Sequence, residues 1–155
     1  MFGGVEMKLI AFPGLILALV LVSGCDSPVK SSDKELVEMG SADSCDAAEQ
    51  SCLLTHDGAE LRLELARDIR SLQPFQLQLH TTGIQQPIES VNVEFFMEGM
   101  DMGLNRYRLL PVEGSWRGEI TLAMCVNGRS DWRAVVEVNT QQQRYSGTFR
   151  FHSSK

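Results

Sequence analysis

The chain has 155 residues and a net charge of −6, with 14 Lys and Arg against 20 Asp and Glu. That acidic balance excludes a nucleic-acid binder, whose affinity rests on basic patches, and equally a basic membrane-surface patch. The length suits one folded domain behind a leader and a linker, because ~100–150 residues is the usual domain size.

The leader comes first. "MKLIAFPGLILALVLVSGC", from Met7 to Cys25, has one lysine, an apolar run and small residues at its end. The run from Leu9 to Val22 falls short of the ~20 residues a bilayer needs and is broken by Pro13 and Gly14, so it reads as a secretory signal peptide. "MFGGVE" places an acid ahead of the lysine, which suggests Met7 as the native start. "LVSGC" (Leu21–Cys25) resembles the lipobox of bacterial lipoproteins. That resemblance implies cleavage after Gly24 and lipid on Cys25: a diacylglyceryl group plus an acyl chain such as palmitate, enough for a stable anchor. The expected location is the periplasmic face of a bacterial membrane. Asp26 resembles an inner-membrane retention signal and slightly favours that membrane. Removal of residues 1–24 takes Glu6 and Lys8 together, so the charge stays at −6.

Residues 26–50 carry seven acids against two lysines and few large apolar side chains. This composition reads as a solvated tether, with a short helical turn at 33–39. The expected organisation is a signal peptide over 1–24, a lipidated acidic tether over 25–57 and a β domain over 58–152.

From Ala59 the apolar residues recur with the strand period of two. The alternating sets are Leu61/Leu63/Leu65, Phe75/Leu77/Leu79 and Val91/Val93/Phe95/Met97. They continue with Tyr107/Leu109, Trp116/Ile120/Leu122/Met124, Trp132/Ala134/Val136/Val138 and Tyr145/Phe149/Phe151. About seven short strands between Gly, Pro, Asn and Ser turns predict an all-β fold, an antiparallel immunoglobulin-like β-sandwich. If consecutive strands alternate in direction, the loop 98–103, the loop 125–131 and His152 share one end of the sandwich, termed here the lower pole. His56 and His80 then lie at the opposite end.

The lower pole therefore gathers "MEGMDMG" (97–103), Cys125 and His152. Thioether, thiol and imidazole select Cu(I), with Cu(II) accepted where imidazole is present. Met100, Met102, Cys125, His152 and Met97 are the candidate metal ligands. Periodicity weighs against Met97, which is in phase with Val93 and Phe95, and also assigns Met124 to the core beside Leu122. Met100 and Met102 lie beyond the strand and read equally as ligands or as plugs of an irregular turn. For His152 an exposed, uncommitted side chain competes with a ligand. Asp101 reads as a turn cap, and Arg129 with Asp131 as a pair that braces its loop.

The stretches "VEFFMEGMDMG", "RYRL", "GSWRGEITL" and "DWRAVVEV" resemble YtkA-like and FixH-like periplasmic domains over roughly residues 59–151. The resemblance implies copper binding and supply of copper to respiratory oxidases, with Met97, Met100 and Met102 as the loop methionines. Cys125 departs from that pattern, as do Arg129 and Asp131 before Trp132.

With Cys25 lipidated, Cys45, Cys52 and Cys125 remain. Loop closure favours the local pair Cys45–Cys52 over a pairing of either with Cys125. That leaves Cys125 free beside the methionines; a site of Cys45, Cys52 and His56 ranks behind both. Two functions follow. The first is a copper carrier or chaperone that serves a copper-accepting membrane protein. The second is a metal-free immunoglobulin-like module that docks on a membrane-protein partner through the lower-pole loops. No nucleophile elbow, H-E-x-x-H or phosphate loop occurs, so an enzyme is not expected.

Overall fold

The computed structural model describes residues 34–100 and 103–154. The signal peptide, the start at Met7, Cys25, Asp26, Asp101 and Met102 lie outside the described residues. Every described element is a strand: β1 (Glu35–Asp46), β2 (Cys52–His56), β3 (Ala59–Leu65), β4 (Pro74–Thr82), β5 (Ser90–Phe96), β6 (Arg106–Val112), β7 (Ser115–Thr121), β8 (Asp131–Asn139) and β9 (Gln143–His152). The fold is thus all-β and predominantly antiparallel, with nine strands rather than seven.

The strands form one continuous sheet in the order β1-β9-β8-β5-β6-β7-β4-β3-β2. β6 turns the corner. Its residues 106–109 pair with β5 and its residues 110–112 with β7. Pro111 sits where the partner changes, a place where a missing ladder donor is tolerated. The two halves face each other across an apolar interior. Phe75 of β4 meets Phe95 of β5 edge-to-face at 6.4 Å, and Phe95 meets Phe151 of β9 at 5.9 Å. Leu61, Leu63, Leu77, Leu79, Val91, Val93, Val136, Val138 and Phe149 are fully enclosed. These are the period-two residues of the sequence. Their outward neighbours, such as Arg62, Glu64, Asn92 and Glu137, are polar, which is the pattern of a sheet with one wet face.

The extra strands come from the expected tether. Residues 35–46 are not a solvated linker with a helical turn. They form β1, which lies parallel to β9 from Glu35↔Gln143 to Asp46↔Arg150 and buries Met39 and Ala42. β2 then adds the far edge against β3 and buries Cys52 and Leu54. The sheet accordingly includes residues from Glu35 on, within the segment expected to be a tether over 25–57. Directions alternate along the whole chain, and the ladder registers fix the poles. Phe96 pairs with Arg133 and Asp131 with His152 at the lower pole, whereas His56↔Ala59 and Glu60↔Thr82 lie at the upper. The chain enters the domain at the upper pole, where Glu35 N donates to Gln142 O. Among the described residues no helix is long and apolar enough to cross a membrane.

Candidate functional site: a sulfur pair at the lower pole

Two loops build the site. β5 ends at Phe96, and Met97 still points inward, 1% exposed. The chain then turns: Met100 N donates to Met97 O at 3.1 Å, and Gly99 takes a left-handed φ of 74°. That turn brings Met100 back against the core. From the other side, β7 ends at Thr121. Leu122 stays buried, and its carbonyl accepts from Leu72 N at 2.9 Å. Cys125 opens the next turn, closed by Gly128 N on Cys125 O at 3.2 Å.

The two turns meet at sulfur. Cys125 Sγ lies 3.7 Å from Met100 Sδ. Cys125 is a free, half-buried thiol, while Cys45 and Cys52 form a disulfide with Cα atoms 5.9 Å apart. The local pairing is therefore the observed one. It also removes the Cys45/Cys52/His56 site, because both sulfurs are consumed.

Arg129 ties the loops together. Its Nε donates to Asp131 Oδ1 at 2.9 Å and its Nη1 to Glu98 O at 2.9 Å. One planar fork thus spans both turns that carry the sulfurs. Hydrogen bonding to Asp131 is the main reason the Arg129 guanidinium holds its proton more tightly than usual, with smaller contributions from Cys125 and Glu98. The Asp131 carboxyl is held below the usual carboxylate range by the same contact.

The structure sorts the expected ligands. Met100 and Cys125 come together. Met97 is core, as its phase implies. Met102 lies outside the described residues. His152 reaches the same pole, but its Nδ1 is 2.6 Å from Asp46 Oδ2. Asp46 also accepts from Ala48 N at 3.0 Å, so the histidine is committed to the turn that carries the disulfide. It is neither idle nor part of the sulfur pair. Met124 is the clear departure from periodicity: it is 59% exposed, not core. β7 stops at Thr121, so strand phase no longer governs residue 124. Among the described residues no group of three or more His, Cys, Asp and Glu side chains is assembled as a metal site.

Beside the pair an open cleft of about 440 Å³ runs between the loops 66–73 and 122–130, lined by Arg70, Ser71, Met124, Cys125, Arg129 and Ser154 among others. The loop 66–73 is fixed there by buried Ile69, whose carbonyl accepts from Ser154 N at 2.7 Å. Sequence periodicity does not reveal this wall. Its signals are weak: Ile69 and Leu72 in a largely polar segment, with no period of two, and the Asp68-x-Arg70 spacing, which the structure uses as an ion pair at 2.9 Å. No family model matches the chain, and no curated protein matches it.

Proposed function

We propose that the chain is a lipid-anchored periplasmic copper carrier that holds Cu(I) between Met100 and Cys125. The single observation that carries this reading is the approach of a free thiol and a thioether, from two separate loops, to 3.7 Å. Thiolate and thioether are soft donors and select Cu(I) over harder ions. Arg129 clamps both loops, so the donors are held together before the metal arrives. The lipobox-like "LVSGC" supports anchoring at Cys25 on the periplasmic face of a bacterial membrane, with Asp26 favouring the inner one. The similarity of "VEFFMEGMDMG" to YtkA-like and FixH-like loops supports delivery to a membrane protein such as a respiratory oxidase. The role is carriage rather than catalysis.

The test is a Cu(I) titration of the full chain in detergent against a competing Cu(I) chelator, with Cys125 reduced and the Cys45–Cys52 bond intact. Cys125→Ser is expected to weaken binding roughly 100-fold, about 2.7 kcal/mol. Failure of the wild type to compete overturns the reading.

A second reading has an observation of its own. Leu72, Leu104, Met124 and Val126, all in lower-pole loops, are 59%, 87%, 59% and 88% exposed. Large apolar side chains gathered at one end favour a metal-free module that docks on a membrane-protein partner. The same titration separates the two.

A further inference from the structure

We propose that Met124 supplies a third sulfur to the metal, and that the cleft beside Cys125 is the port by which the metal enters and leaves. The proposal rests on the copper reading above and deepens it.

The first argument is geometric. A metal–thiolate sulfur bond is about 2.3 Å long. Two sulfurs in line through one ion would therefore lie roughly 4.6 Å apart. The observed separation is 3.7 Å. With bonds of that length it corresponds to a sulfur–metal–sulfur angle of roughly 107°. That angle suits a trigonal or tetrahedral shell rather than a linear one. The sulfurs touch as an S–H···S hydrogen bond, at a spacing that a bent three- or four-coordinate shell would also accept.

The second argument is where the remaining positions of such a shell face. Cys125 has Met100 on one side and lines the cleft on the other; Met100 does not line it. A metal on Cys125 is reached by solvent, and by any exchanging ligand, from the cleft. Among the described residues the cleft offers arginine, serine and glutamine side chains, which are not soft donors, and one further sulfur, that of Met124.

The third argument is the state of Met124 itself. Neighbouring Leu122 is completely buried, yet Met124 is 59% exposed and belongs to no strand. An unbranched side chain with three rotatable bonds reaches an adjacent site easily. In this position the side chain is not held in the core and shares the cleft wall with Cys125.

The experiment compares wild type, Met124→Leu and Cys125→Ser as full chains in detergent. Met124→Leu keeps size and apolarity at an exposed position, so folding is preserved. X-ray absorption at the copper edge should count three sulfurs in the wild type and two in Met124→Leu, with affinity down about tenfold. Ag(I), a redox-inert soft ion, should protect Met124 from peroxide oxidation, read by mass spectrometry. An unchanged sulfur count, or no protection of Met124, overturns the Met124 assignment while loss of binding in Cys125→Ser keeps the copper reading. Unchanged binding in Cys125→Ser overturns both.

Discussion

Arg129 shows how little a residue can contribute to global stability while controlling a site. Its pair with Asp131 is solvent-exposed, with side chains 38% and 44% accessible, and such pairs contribute ~0–1 kcal/mol. Its geometry matters more than its energy, because it joins Glu98 O to Asp131 across the two sulfur-bearing turns. Arg129→Ala should therefore change the unfolding free energy read from urea titration hardly at all, by under ~1 kcal/mol. Amide exchange at Met100 should nevertheless speed up, since its turn loses the clamp. Equal slowing or no change at Met100 would show that the turn holds itself. His152 makes the opposite case. Committed to Asp46, it should be replaceable by alanine without loss of Cu(I) affinity, even if the 46–51 turn loosens. At this scale, legibility depended on whether a residue sat inside a strand. Met97 was readable because β5's phase carries through it. Met124 escapes the same rule because β7 ends at Thr121, beyond which backbone direction no longer repeats every two residues. The fit of Met100 to Cys125 joins residues 25 apart in sequence, and strand parity alone brought them to one pole without setting their distance.

The elements that escaped sequence analysis are the edges. β1 carries Glu35, Glu38, Asp43 and Asp46, its larger apolar residues Leu36, Val37 and Met39 do not alternate cleanly, and its phase breaks twice, between Glu38 and Gly40 and between Ala42 and Asp46. Charges and bulges are how an edge strand avoids pairing with other chains, and the same features erase the period-two signal. The composition that read as a tether is the composition of a guarded edge. β1 and β2 nevertheless close the structure. Gly147 of β9 lets them approach: a Cβ there would lie 2.7 Å from Leu54 Cδ1 and 3.3 Å from Met39 Cβ. Gly147→Ala should cost about 1 kcal/mol, the low end for overpacking, because the Leu54 methyl it meets is the movable end of its side chain, read by urea unfolding. The disulfide closes the link between the edge strands over a sequence separation of seven. Chain-entropy estimates for a loop of that size give about 2.5 kcal/mol. The Cys45→Ser/Cys52→Ser variant should lose about that much while it keeps the strand signature in far-ultraviolet circular dichroism. Melting of β1 and β2 alone, with the rest intact, would mean that the edges form a separate unit.

At the scale of the whole molecule, the depressed carboxyls among the described residues lie toward the lower pole. Among the described residues three carboxyls have their pKa depressed, each chiefly by hydrogen bonds to an arginine: Asp43 by Arg133, Asp68 by Arg70 and Asp131 by Arg129. By the strand registers, all three pairs lie toward the lower pole, around the turns that carry the sulfurs and the cleft. The sign follows from linkage. A carboxyl depressed in the folded state stabilises that state above its unfolded pKa of about 3.9. That contribution disappears as pH falls through the folded value. Stability should therefore be flat in these groups from neutral pH down to about 4, then fall. The loss should begin at the lower pole. The two tryptophans report on different regions. Trp132 opens β8 at the lower pole and stacks on Phe151 at 6.4 Å. Trp116 lies near the start of β7 opposite Leu79 and Pro111, toward the upper pole. In an acid titration followed by NMR, the Trp132 indole resonance should broaden below pH ~4 while that of Trp116 persists until global unfolding. Simultaneous loss of both would show that the arginine–carboxylate pairs do not hold the lower pole independently of the core. An earlier change at Trp116 would place the acid-sensitive region at the wrong end of the molecule.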